Sequence, residues 1–387
     1  MSRRRSPALL AVLLALTALP AAGQTKYVAF GDSITEGTGF DDPSRQCPEE
    51  CGYAPRLEAL LDGAGMPSEV VNAGKGGERT PEGLTRLPDV LAEHGGDVLL
   101  LMEGSNDVSR SISPETTLFN LNEMARTARS HGLRPVHATL IPRIPSAQVD
   151  GENRINQRLN MSIRELAFDR GRDLVDPFEV FWSHPNTFAE LYHPGPDVVG
   201  HPSSAGYDLL ARVFFDVLRG VDSVPPVPGG LEPQDGARDV SPNAVVRLRL
   251  YDFGAGIDLG ATDLLIDGEP VAASLEGDSR RLDLRYSPVT PFSGLVEVGY
   301  RTRDLAPAAN RGETTLGSFL VQGAALLLGD VNSDGRVDGH DLVELAIRFG
   351  TVDGESRYAR FVDLNRDGRI DGEDLAILAS EFGRSAG

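Results

Sequence analysis

The stretch "KYVAFGDSITEG", Lys26 to Gly37, decides how the first half of the chain is read. An apolar run stops at Gly31, and Asp32, Ser33 and Glu36 follow it. The run reads as a buried strand and the residues after it as a turn into a helix. Ser33 then has two possible roles. With Asp32 it can cap the helix, or it can be a nucleophile presented at the end of the strand. A serine nucleophile needs a base, a group that orients the base, and donors for the oxyanion. The rest of the chain must supply them.

Outward from this stretch, short apolar runs alternate with helical patterns as far as residue 221. "KYVAF", "EVVNA", "DVLLLM", "RPVHATL" and "DLVDP" read as buried strands. "GYAPRLEALLDG", "PEGLTRLPDVLAEHG", "TLFNLNEMARTARSHG" and "INQRLNMSIRELAFDRG" carry apolar residues at helical spacing, and each ends in glycine. Repeated strand–helix units predict an α/β domain over 24–221, a parallel sheet with helices on both faces. Working sites in such sheets lie at the carboxyl ends of the strands, where Ser33 falls.

Three further blocks sit at strand ends or before helices. In "VNAGKGGERT", Asn72, Gly74 and Gly77 follow the second strand. Glycine there lets a backbone N–H approach a reacting carbonyl, or simply makes a loop. In "LLLMEGSNDV", Gly104 and Asn106 follow the third strand, and the Asn106 amide can donate to an oxyanion while Asp107 holds the loop. In "DVVGHPSSAGYDLLARVFF", His201 precedes a helix starting around Ser203, with Asp197 four positions upstream. A carboxylate on one imidazole nitrogen fixes the tautomer that makes the other a base. Glu190 and His193 in "ELYH" form a second acid–histidine pair, three residues apart.

"GDSITEG", "NAGKGG", "GSND" and "DVVGHPSSAGY", in that order, resemble the SGNH hydrolases, the GDSL-type esterases, over roughly Lys26 to Arg219. The resemblance implies a flavodoxin-like three-layer α/β/α fold. It implies Ser33 as nucleophile, His201 as base and Asp197 as its orienter. Ser33 N–H, Gly74 N–H and the Asn106 side chain are the implied oxyanion hole. One departure is visible: the family places its acid three residues before the histidine, and here that position is Val198.

Beyond "VPPVPGGLEPQDG" (Val224 to Gly236), a linker by composition, the pattern changes. "AVVRLRLYD", "LLIDGEPV", "RLDLRYSP" and "GLVEVGYRT" alternate apolar and polar residues between turn residues. This predicts an immunoglobulin-like β-sandwich over 222–325. The last region, 326–387, holds an internal repeat: "GDVNSDGRVDGHDLVELAIRFG" returns as "VDLNRDGRIDGEDLAILASEFG". Each repeat places oxygen ligands at EF-hand spacing. In the first they are Asp330, Asn332, Asp334, Asp338 and Asp341, with the Arg336 carbonyl. In the second they are Asp363, Asn365, Asp367, Asp371 and Asp374, with the Arg369 carbonyl. Hard oxygen ligands in this pattern select Ca2+, one ion per repeat. Each loop leads into an apolar helix without a long entering helix. The duplicated loop resembles a type I dockerin, which implies a cohesin-bearing scaffold protein as partner. Gly339–His340 and Gly372–Glu373 stand where partner choice is carried. The other reading is a calcium-stabilised cap without a partner.

The N-terminus, "MSRRRSPALLAVLLALTALPAAGQ", reads as a signal peptide over 1–23: three arginines, an apolar stretch, then small residues. Export permits a disulfide between Cys47 and Cys51 in "CPEEC", the only cysteines. The net charge of −20 argues against a nucleic-acid partner, and no other apolar run has the length of a membrane span. The expected function is a secreted, extracellular or periplasmic serine esterase, with no catalytic cofactor. It would remove O-acyl groups, acetyl foremost, from polysaccharide or oligosaccharide, an assignment that leans on the dockerin-like tail. Alternatives are a lipase, phospholipase or thioesterase, or a noncatalytic carbohydrate-binding or adhesion protein.

Overall fold

The structure, a computed structural model, describes residues 23–38, 52–110, 112–144, 152–193, 200–322, 328–331, 336–353, 355 and 357–385. The signal-peptide, Cys47–Cys51 and Asp197 readings therefore lie outside the described residues, as do Asn332 and Asp334.

Five parallel strands form the first sheet: β1 (Thr25–Gly31), β2 (Ser68–Gly74), β3 (Val98–Met102), β4 (Arg134–Ala138) and β5 (Asp173–Val175). Their order is β2-β1-β3-β4-β5, that of flavodoxin-like sheets. The strands are apolar on both faces, so residues one apart enter different cores. Tyr27, Ala29, Leu100 and Val136 face one helical layer, where α2 (Ala54–Gly63) and α9 (Ser204–Leu218) supply Leu57, Leu61, Leu210 and Phe214. Val28, Phe30, Leu99 and Leu101 face the other. There α3 (Thr80–His94), α5 (Pro114–Ser130) and α6 (Glu152–Asp169) supply Leu87, Met124 and Ile163. Short helices lie at the strand ends: α1 (Ser33–Glu36), α4 (Ser105–Ser109), α7 (Pro177–Trp182) and α8 (Thr187–Glu190).

Two four-stranded antiparallel sheets follow. They comprise β6 (Val227–Glu232), β7 (Val246–Tyr251), β8 (Asp263–Ile266), β9 (Glu269–Val271), β10 (Ser274–Gly277), β11 (Arg281–Tyr286), β12 (Leu295–Arg303) and β13 (Arg311–Leu320), ordered β10-β11-β7-β6 and β13-β12-β8-β9. Leu248, Leu250, Leu284, Val298 and Phe319 fill the core between them. One expectation is corrected here. The middle of the predicted linker is strand β6, which pairs with β7 across a register shift between Pro228 and Gly230. Proline is tolerated on an edge strand because the missing N–H leaves no partner unsatisfied.

The α/β domain and the β module share buried chemistry. Fully buried Arg164 on α6 donates to Asp176 at 2.7 and 3.1 Å and to the Pro228 carbonyl at 2.9 Å. Burial pushes the neighbouring Glu179 carboxyl up to about 7. Asp235 accepts from Ser318 N in the β module at 2.9 Å. The same carboxylate pairs with Arg154 of α6 at 2.9 Å and with Arg360 of the tail at 2.7 Å. The tail itself has a small core, Val331, Val337, Leu345, Val362, Ile370 and Leu378, under helices α10 (Gly339–Arg348) and α11 (Gly372–Glu381).

Candidate functional site

Ser33 is the first residue of α1, directly after β1. Both roles offered to this turn are filled, by different residues. Asp32 is the cap, its Oδ1 accepting the Ile34 N–H at 3.0 Å. Ser33 Oγ lies 2.8 Å from His201 Nε2, within reach for proton transfer. His201 is held by short antiparallel contacts ahead of α9. Its carbonyl accepts from His193 N at 3.0 Å, Tyr192 bridges Pro202, and Ser203 N donates to the Leu191 carbonyl at 2.8 Å. Ser203 then caps α9 through Gly206 N. The alternative pair is not assembled. His193 supplies backbone to His201, and the Glu190 carboxylate accepts from Asn186 at 2.8 Å and lies 3.9 Å from His184.

The predicted oxyanion donors lie on the neighbouring strand ends. The Asn106 amide donates to the Glu78 carbonyl at 2.9 Å, which fixes the side chain and leaves its second N–H. Gly74 packs so closely against α1 that a Cβ would stand 2.0 Å from Glu36 N, so only glycine fits. Its N–H, however, is not open as the sequence reading implied. It donates to Asn72 Oδ1 at 3.0 Å, an Asx turn two residues long.

Beneath these loops lies a polar scaffold that sequence reasoning did not single out. Buried Glu78 is gripped by Arg86 Nε at 2.8 and 2.9 Å, and Arg86 also donates to the Ala73 carbonyl at 3.0 Å. This ties the Asn106 loop to the end of β2. Asp107 takes the loop-holding role: its carboxylate accepts from Thr80 N at 2.9 Å and from Thr117 at 2.7 Å. Asn160 on α6 brackets Leu140 with two 2.8 Å bonds, and Arg143 donates to the Ser105 carbonyl at 3.2 Å. These residue types were visible in the sequence; their partners are 8 to 38 positions away, where no spacing rule reaches.

Two further carboxyls, those of Asp32 and Glu103, are buried under the site beside Glu78 and Asp107. Burial pushes Asp32 up to about 6 against the Ile34 hydrogen bond, and its Oδ2 has no partner among the described residues. Glu103 lies well above the usual carboxylate range, first through burial and then through the charges of Glu78 and Asp32. Neither Glu103 oxygen has a partner among the described residues.

In the tail, the second loop is described throughout. Asp363 accepts from Asp367 N at 3.2 Å and Gly368 N at 2.8 Å, and Asn365 contacts Asp367 at 3.1 and 3.2 Å. Burial, with the charges of Asp374 and Asp367, pushes Asp363 up to about 6. Asp374 accepts from Leu364 N at 2.7 Å and Asp371 N at 2.8 Å, and Asp371 caps α11. The first loop repeats this: Asp341 accepts from Val331 N at 2.6 Å and Asp338 N at 2.7 Å, and Asp338 caps α10. Arg336 and Arg369 each sit on an isolated antiparallel bridge. The loop side chains are carboxylates and an amide, an all-oxygen set of the kind a hard cation prefers.

A parallel 2-1-3-4-5 sheet with a serine–histidine pair at its carboxyl edge, followed by a β module and a small domain with two short helices, each after an acidic loop, defines the class of protein. Residues 29–209 match the GDSL-like Lipase/Acylhydrolase family, and residues 328–382 match the Dockerin type I domain. The chain thus carries a GDSL/SGNH acylhydrolase domain and, C-terminal to an intervening β module, a type I dockerin domain, of a class that typically binds calcium. Esterase TesA of Pseudomonas aeruginosa is 36% identical over 121 residues, 31% of this chain and 56% of the relative. An arylesterase of Vibrio mimicus is 32% identical over 120 residues, 30% of this chain and 56% of the relative. The chain thus spans little more than half the length of these relatives. Among solved structures, a lipase/acylhydrolase from Enterococcus faecalis aligns with 51% of this chain and 96% of its own, at 23% identity and a TM-score of 0.42.

Proposed function

We propose that the chain is a secreted carboxylic ester hydrolase acting on O-acyl, foremost acetyl, groups of polysaccharides or oligosaccharides. The observation that carries the ester-hydrolase reading is the 2.8 Å approach of His201 Nε2 to Ser33 Oγ at the carboxyl edge of the sheet. Ser33 Oγ attacks the ester carbonyl as His201 takes its proton. The tetrahedral oxyanion accepts from the Ser33 N–H and the second Asn106 N–H. His201 then protonates the departing alcohol, and water, activated by the same imidazole, releases the acid. Gly74 N–H joins this set when the Asn72 side chain shares or releases it. Asp197 is assigned as orienter of His201 from its place in the motif alone. The names of both relatives, an esterase and an arylesterase, support the reaction class.

The carbohydrate substrate is proposed from the dockerin domain, since such domains accompany polysaccharide-degrading enzymes. The proposed calcium ligands are the two sets Asp330, Asn332, Asp334, Arg336, Asp338, Asp341 and Asp363, Asn365, Asp367, Arg369, Asp371, Asp374. Bound there, two ions would supply the positive charge that lets these acids sit together. The exposed Leu342, Val343 and Ile347 of α10 give a cohesin an apolar surface to cover. Export is supported by the N-terminal arginine, apolar and small-residue pattern. Among the described residues no helix is long and apolar enough to cross a membrane.

Hydrolysis of p-nitrophenyl acetate by the wild type, abolished in Ser33→Ala, tests the reaction; an inert wild type overturns it. Acetate release from acetylated xylan, compared with turnover of long-chain p-nitrophenyl esters, tests the substrate class. A preference for long chains would move the assignment to lipid-like esters.

A further inference from the structure

A second cluster of acids lies far from Ser33 in the chain, where the α/β domain meets the β module. Asp222 is in the connector after α9, Asp252 directly follows β7, and Asp304 directly follows β12. One carboxylate oxygen from each lies within 4.8 Å of the other two. Asp252 and Asp304 are only 3% and 2% exposed.

Each carboxylate is fixed in place by its own loop. Asp252 Oδ1 accepts from Gly254 N and Gly256 N, both at 2.8 Å. Asp222 Oδ2 accepts from Ala255 N at 2.7 Å, and Asp304 Oδ1 from Ala306 N at 3.1 Å. The Asn310 amide joins two of them, donating to Asp304 Oδ2 at 2.6 Å and to the Asp222 carbonyl at 3.1 Å. The approach is close: a Cβ at position 254 would lie 2.2 Å from the Asp222 carboxylate and would displace it.

What the cluster lacks is a positive partner. Among the described residues, none of the three acids forms an ion pair, although arginines elsewhere in the β module pair with Asp258, Asp263 and Asp283. Asp252 Oδ2, in a side chain that is almost wholly buried, has no hydrogen-bond partner among the described residues. Burial, and then the charges of Asp222 and Asp304, push Asp252 up to about 6. Three carboxylates held together by backbone amides, with one oxygen buried and unpaired, are costly unless a cation lies among them.

We propose that Asp222, Asp252 and Asp304 form a calcium site that staples the connector to both sheets of the β module. An all-oxygen set disfavours zinc and copper, which prefer nitrogen and sulfur. Calcium–oxygen distances of about 2.3–2.6 Å allow ligands on opposite sides of one ion to stand about 4.6–5.2 Å apart, which accommodates oxygens within 4.8 Å of one another. Water completes the shell from the adjoining cavity of about 960 Å3, whose lining includes Asp222, Gly254 and Ala255. The site is independent of the esterase reading.

The test measures bound Ca2+ by equilibrium dialysis on the full chain. Asp330→Ala and Asp363→Ala are introduced together to disable the tail loops. That variant is expected to retain about one Ca2+ per chain and to lose it when Asp252→Asn is added. Asp222→Asn, at a half-exposed position, gives the same readout should Asp252→Asn not fold. If the tail-disabled chain holds no Ca2+, or if both cluster variants leave its bound Ca2+ unchanged, the proposal is overturned.

Discussion

The Ser33–His201 site and the tail loops are both built from polar side chains at turns, yet they are held in opposite ways. Around Ser33 the frame is a five-stranded sheet with a full apolar core on each face. Of the acids buried there, Asp32 and Glu103 are pushed up toward the neutral form, first by burial and then by neighbouring carboxylates. Among the described residues the tail has a core of six buried hydrophobic side chains, and acids of its second loop, Asp363, Asp367 and Asp374, raise one another's cost of ionisation. A large core can carry the cost of a buried acid; a small one needs a cation among its acids. The first region should therefore depend on particular side chains and the second on an ion.

The sharpest way to set the two apart is Ser33→Ala. Hydrolysis of p-nitrophenyl acetate is expected to fall by about 10^4-fold or more, with calcium binding by the tail unchanged. A fall of less than tenfold would mean that Ser33 is not the nucleophile. Asn106→Ala is expected to lower kcat by about 10^2- to 10^3-fold with little change in KM, the signature of the oxyanion donor proposed for its second N–H. An effect mainly on KM would make Asn106 a substrate-binding residue instead.

Asp32→Asn probes how the large core carries its acid. The native carboxyl is raised to about 6 from 3.8, so the native state holds its proton more tightly than the unfolded chain. Wild-type stability should then drop as pH rises between these values, and the penalty is complete above about 6. The substitution keeps the Ile34 cap and removes that penalty. Urea unfolding at pH 8 should show a gain of up to about 3 kcal/mol, absent at pH 4. An equal gain at both pH values would refute the buried-acid account.

The smallest expected effect is that of a chelator on catalysis. Esterase activity should change by less than about twofold while the helical circular dichroism of α10 and α11 is lost. A parallel collapse of activity would show that the two regions are not independently held.

Much of the fold was legible in the chain. The five buried strands and the helices α2, α3, α5 and α6 follow from apolar runs and helical spacing because each buries a continuous face. The edge strand β6 was missed: its Pro228 and Gly229–Gly230 read as a linker, and only pairing with β7 makes it a strand. At the site, Ser33, His201 and Asn106 stood out by motif. The engagement of Gly74 N–H by Asn72 did not, nor did the grip of Arg86 on Glu78, because each is a choice among partners that only packing makes.

The sequence by itself determined which chemistry is available: a serine at a strand end, a histidine before a helix, an asparagine at a third strand end, and two acidic loops in tandem. These are matters of residue type and local spacing, which the chain carries wherever it folds. Tertiary structure alone decided who meets whom. Ser33 reaches His201 across 168 positions because β1 and α9 pack within the same core. Asp222, Asp252 and Asp304 come together for a similar reason: three loops of no common motif end at one junction, where Asp252 and Asp304 are buried and, among the described residues, none of the three has a basic partner.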